Sequence, residues 1–104
     1  MSISKILSVS EQVKDNRSTS QVMLKVMEEV GELSTEITIA NGDSYKEPSS
    51  DGVVGEAIDS IITLIDIIKV HNPDITEEEI SRIMHKKAEK WVEKSQVIAN
   101  KKAP

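Results

Sequence analysis

A chain of 104 residues has room for one hydrophobic core, so residues 1–104 are expected to form a single domain, with 95–104 as a frayed tail. Only 38% of the residues are hydrophobic, Phe is absent, and the aromatic residues are Tyr45 and Trp91, which points to a thin aliphatic core and to helices rather than a sheet. The absence of Cys excludes disulfides, thiolate metal sites and a thiol nucleophile, and a net charge of -5 argues against broad electrostatic capture of nucleic acid.

The N-terminus, MSISKILSVSEQ, has one Lys and no extended apolar run, so it does not read as a signal peptide. Ile3, Ile6, Leu7 and Val13 recur at helical spacing and predict a short first helix ending near Asn16, a residue suited to chain reversal. From Thr19 to Ala40, Met23, Val26, Met27, Val30, Leu33, Ile37 and Ala40 follow i, i+3, i+4 steps. Ser18 with Gln21 can form a capping box in front of them. Residues 41–52 concentrate Asn, Gly, Asp, Ser and Pro and predict a loop between antiparallel helices.

A third helix is predicted from Val53 to Val70, with Ala57, Ile58, Ile61, Ile62, Leu64, Ile65, Ile67 and Ile68 covering most of its circumference. Thr63 and Asp66 interrupt its apolar run, which falls short of the roughly 20 residues needed to span a bilayer, so a soluble, cytoplasmic protein without membrane partners is expected. A helix apolar nearly all round needs burial on several sides, and one small chain offers little to cover it. The expected architecture is therefore an all-α, four-helix bundle completed by a homodimer or homotetramer. After His71-Asn72-Pro73-Asp74, Thr76 and Glu79 predict a capping box that opens a fourth helix, with Ile80, Ile83, Met84, Ala88, Trp91 and Val92 on one face. That stripe places Trp91 in core packing rather than base stacking.

The chemistry lies in the acids. Glu29 and Glu32 are neighbours on one face of the second helix, a pattern that any solvated helix face can show. Glu56, Asp59, Thr63 and Asp66 differ, because they form one polar stripe on a helix whose other faces are aliphatic. Carboxylates beside a core stay ionised when they pair with cations or coordinate metal. An all-oxygen set suits Mg²⁺, with Mn²⁺ as a substitute, and disfavours zinc. A di-iron bundle would need Glu-x-x-His pairs, but Ile68 and Arg82 stand three before His71 and His85, which read as surface or helix-end residues. Mg²⁺ held by a few carboxylates leaves positions for substrate phosphates, and the chain has no P-loop to bind them otherwise.

Glu28-Glu29-Val30-Gly31-Glu32-Leu33 followed by Glu56-Ala57-Ile58-Asp59 resembles the EExxE and ExxD motifs of the MazG-like, all-α nucleoside triphosphate pyrophosphohydrolases. That superfamily includes dimeric dUTPases, dCTP pyrophosphatases and phosphoribosyl-ATP pyrophosphohydrolases, and the likeness spans roughly Ile3 to Lys94. It implies Glu29, Glu32, Glu56 and Asp59 as Mg²⁺ ligands and Glu28 as the acid that orients or deprotonates the attacking water. The implied reaction cleaves a (deoxy)nucleoside triphosphate to the monophosphate and pyrophosphate. The family's last helix carries a phosphate-binding Lys-x-x-x-Asn-x-x-Arg; here Lys87 and Lys94 stand at that spacing, with Trp91 in the place of Asn and Lys94 in that of Arg. Phosphoribosyl-ATP hydrolysis ranks lower, because Ile62-Thr63-Leu64 follow where those enzymes often have an aromatic-His run. A non-catalytic helical interaction module on the same fold is the reading from a different class.

Overall fold

The structure, a computed structural model, describes residues 2–102. It is all-helical among the described residues, with α1 (Ser2–Gln12), α2 (Thr19–Ala40), α3 (Gly52–His71) and α4 (Glu77–Lys102). The chain divides into two units: one runs through Asp74 and holds α1 to α3, and the other starts at Ile75 and holds α4. No described helix is long and apolar enough to cross a membrane.

In the first unit α1 and α2 both pack on α3. The α1–α2 reversal turns at Asn16, whose φ of 55° lies in the left-handed region that Asn tolerates better than most residues. Next to it, Arg17 reaches α3 and grips Asp66 with both guanidinium branches, at 2.7 and 3.1 Å, while Ser10 Oγ of α1 donates to the same carboxylate at 2.5 Å. One acid thereby ties α1, the turn and α3 together. The Ser18–Gln21 capping box forms in both directions and sets the start of α2. The α2–α3 pair runs antiparallel: Glu36, late in α2, accepts the Ser49 N–H at 2.8 Å just ahead of α3. Earlier in α2, Glu29 meets Glu56 of α3's first turns.

The inward face of this unit is partly polar. Polar groups are buried where α2 and α3 meet: Glu29 and Glu36 follow Val22 and Val26 on α2, and Glu56, Ser60 and Thr63 line α3. The hydroxyls are satisfied within their own helix, Ser60 Oγ donating to Glu56 O at 3.0 Å and Thr63 Oγ1 to Ser60 O at 2.9 Å. The aliphatic faces for which one chain was expected to offer little cover are half-exposed in this single chain, among them Met23, Val30 and Ile37 of α2 and Ile58, Ile61 and Leu64 of α3. The reason is geometric. A helix apolar nearly all round has no single preferred buried side, and Ser60 and Thr63, small and with their hydroxyls satisfied within α3, let this strip lie against α2. Met23, Val30 and Ile37 recur every seven residues and so share one face of α2.

In the second unit Glu79 N–H donates to Thr76 Oγ1 at 3.2 Å at the start of α4, which is one half of the predicted capping box. Glu77, Glu78 and Glu79 in the first turn and Lys101 and Lys102 in the last complement the helix dipole. Gln96, Ala99, Lys101 and Lys102 favour helix, and α4 continues through residues 95–102, which the sequence reading places in a tail; Ala103 and Pro104 lie outside the described residues. Trp91 is 74% exposed, which overturns its expected core packing. It stands on the predicted stripe, but most of that stripe is open, and Ile80 is the one buried residue of α4.

Candidate metal centre

The α2–α3 pairing brings three of the four predicted ligands, Glu29, Glu32 and Glu56, within reach of one another, while Asp59 meets Glu56 but is not grouped with Glu29 or Glu32. Glu29, Glu32 and Glu56 offer carboxylate oxygens that all lie within 4.8 Å of one another. A second group, Asp51, Glu56 and Asp59, meets the same limit. Glu56 belongs to both. It projects from the first turns of α3 toward α2, on the strip continued by Ser60 and Thr63, while Asp59 sits one turn on at the edge of that strip.

Glu29 and Glu56 are each 8% exposed, and each has one carboxylate oxygen, Oε2, that is buried without a hydrogen-bond partner. The other oxygen of Glu29 pairs with Lys25 at 3.1 Å, and Lys25 is itself half-exposed. Among the described residues no ion pair reaches Asp51, Glu56 or Asp59. Burial, followed by the negative charges of Glu32, Asp59 and Glu29, raises the Glu56 carboxyl above its ordinary value of 4.5. Glu36, equally buried one step further along α2, has the opposite environment: the hydrogen bonds from Ser49 hold its carboxyl below the ordinary value. The donor set around Glu56 consists of hard oxygens without His or Cys, which is the chemistry of Mg²⁺ or Mn²⁺ rather than zinc.

Glu28 is exposed, pairs with Lys25 at 3.6 Å and stands outside both carboxylate groups. Lys87 and Lys94 lie in the other unit, where they line one exposed patch of α4 with Lys90 and Trp91. His71 and His85 are exposed, as their neighbours in sequence predict.

Asp51 is the residue that sequence reasoning missed. It occupies the N-cap position of α3, yet its side chain makes no capping hydrogen bond. It lies over Gly55 instead: a Cβ at Gly55 would collide with Asp51 Cβ and stand 3.1 Å from its Cγ. An Asp before a helix with Gly four residues on was the available signal, and a loop-like composition concealed it.

No protein-family model matches this chain, and no curated protein or solved structure is significantly similar to it.

Proposed function

We propose that this protein is a Mg²⁺-dependent hydrolase that cleaves nucleoside triphosphates between the α and β phosphoryl groups, giving a nucleoside monophosphate and pyrophosphate. The observation that carries the reading is Glu56, a buried carboxylate shared by two acidic groups, with an oxygen that nothing among the described residues satisfies. A buried acid among like charges is costly unless a cation completes it. Glu29, Glu32, Glu56 and Asp59 are the residues that hold the ion. When bound, Mg²⁺ supplies neutralisation of charge on the phosphate oxygens and fixes their orientation.

The remaining work falls to the chain. Glu28, the solvent-exposed acid next to Glu29, accepts the proton of the attacking water. Lys87 and Lys94 are exposed ammonium groups suited to phosphate oxygens. The exposed apolar residues of α2 and α3, with Ile61 49% exposed, pack against a second copy, since exposed apolar surface marks association. Light scattering is expected to give the mass of a dimer or tetramer, and a monomer at every concentration contradicts that part.

The test of the activity is pyrophosphate release from a panel of canonical and modified nucleoside triphosphates with Mg²⁺. Turnover of at least one member is expected, falling by about 100-fold or more in Glu56→Gln. No release across the panel, with no thermal shift on adding Mg²⁺ or Mn²⁺, sinks the reading and leaves the interaction module in its place.

A further inference from the structure

We propose that Asp51 is a metal ligand, completing with Glu56 and Asp59 a cation position at the N-terminus of α3 that shares Glu56 with the Glu29 and Glu32 side of the site. The inference rests on the metal-dependent reading above and extends it to a residue outside the ExxD pattern.

Three observations of different kinds converge on Asp51. Its carboxylate oxygen lies within 4.8 Å of oxygens of both Glu56 and Asp59, although like charges at that range repel. Glu56, at the centre of the group, is buried and keeps an unpartnered oxygen. The third observation is Gly55. An interior helical glycine is unfavourable relative to alanine, and Gly55 needs no positive φ to excuse it. What it provides is space: the absent side chain leaves a cradle in which the Asp51 side chain lies, with Asp51 Oδ1 3.6 Å from where a Cβ would stand.

The usual occupation of an N-cap Asp, accepting an N–H of the helix's first turn, is forgone here. Asp51 contributes its backbone carbonyl to Gly55 N–H at 3.1 Å, and its carboxylate turns to the acids. A helix start that gives up its cap to place one carboxylate beside two others is built for a cation.

The experiment is Mn²⁺ titration of the full chain, read by the electron paramagnetic resonance signal of free Mn²⁺, for wild type and four variants. Asp51→Asn removes the ligand. Gly55→Ala keeps every charge and fills the cradle, so it separates coordination from general electrostatics. Asp43→Asn, an exposed loop acid outside both carboxylate groups, measures the effect of losing a charge alone. Asp51→Asn and Gly55→Ala are each expected to weaken Mn²⁺ binding by about tenfold or more. Asp43→Asn stays within about twofold, as a screened surface charge should. Circular dichroism checks that each variant keeps its helices.

If Glu56→Gln loses Mn²⁺ while Asp51→Asn and Gly55→Ala bind like wild type, Asp51 is not a ligand and the reading of the site stands. If wild type binds no Mn²⁺, or Glu56→Gln binds it as well as wild type, the reading fails and this inference falls with it.

Discussion

Asp66 and Glu56 are both acids on α3 turned toward neighbouring helices, and they are treated in opposite ways. Asp66 receives two hydrogen bonds from Arg17 and one from Ser10, and an opposite charge stands against it. Burial alone would raise its carboxyl, but those hydrogen bonds and the Arg17 charge outweigh burial and leave it below the ordinary value of 3.8. Glu56 has burial without the partners, and its carboxyl moves up. An inward-facing acid is therefore not in itself a sign of function. The inventory of its partners decides, and on α3 that inventory separates a structural tie from an acid without a counter-charge, where the proposed cation would bind.

The largest way to break the comparison is to make Asp66 resemble Glu56. Arg17→Ala leaves a part-buried carboxylate without its counter-charge and frees the α1–α2 turn from α3. Urea unfolding at neutral pH is expected to show a loss of about 3 kcal/mol. A loss near zero would mean that Arg17 and Asp66 are a surface pair and that the contrast is false.

The pH dependence of the metal-free protein sharpens the same contrast with a smaller effect, because the two acids have opposite signs. Asp66 is depressed, so its contribution is present above the ordinary carboxylate value and is lost as pH falls through its lowered value. Glu56 is raised, so its protonated form favours the folded state. That contribution is complete below 4.5 and disappears as pH rises through the elevated value. Unfolding in EDTA should give Asp66→Asn a shallower loss of stability at the acid end than wild type, and Glu56→Gln a shallower loss above the ordinary Glu value. Parallel curves for wild type and both variants would contradict the assignment.

These features differ in how far the sequence exposes them. The bounds of α2 were legible because Ser18 and Gln21 cap it locally and its apolar residues keep helical spacing to Ala40. The approach of Glu29 and Glu32 to Glu56 followed from placing two helices side by side across a loop, and Asp59 meets Glu56 alone of the three. Which side of α3 is buried was not legible, since Ile58, Ile61 and Leu64 carry as much apolar signal as any inward residue would. The match between the Glu56–Ser60–Thr63 strip and α2 depends on two helices at once. Asp66 was read as one member of an acidic stripe because its partner, Arg17, lies in a turn far away in sequence. Asp51 was hidden for a related reason: its place depends on a left-handed Gly52, with φ of 64°, and on the missing side chain of Gly55. Trp91 shows the converse, an apolar stripe that local spacing predicts and that the chain leaves open.

The central claim is that the acids around Glu56 are held together for a divalent cation, and thermal unfolding of wild type and Glu56→Gln, each in EDTA and in Mg²⁺, tests it most directly. Glu56→Gln is expected to melt above wild type in EDTA, where it relieves repulsion, and wild type alone to gain stability when Mg²⁺ is added. A wild type indifferent to Mg²⁺, or a Glu56→Gln variant that melts below it in EDTA, would contradict the account.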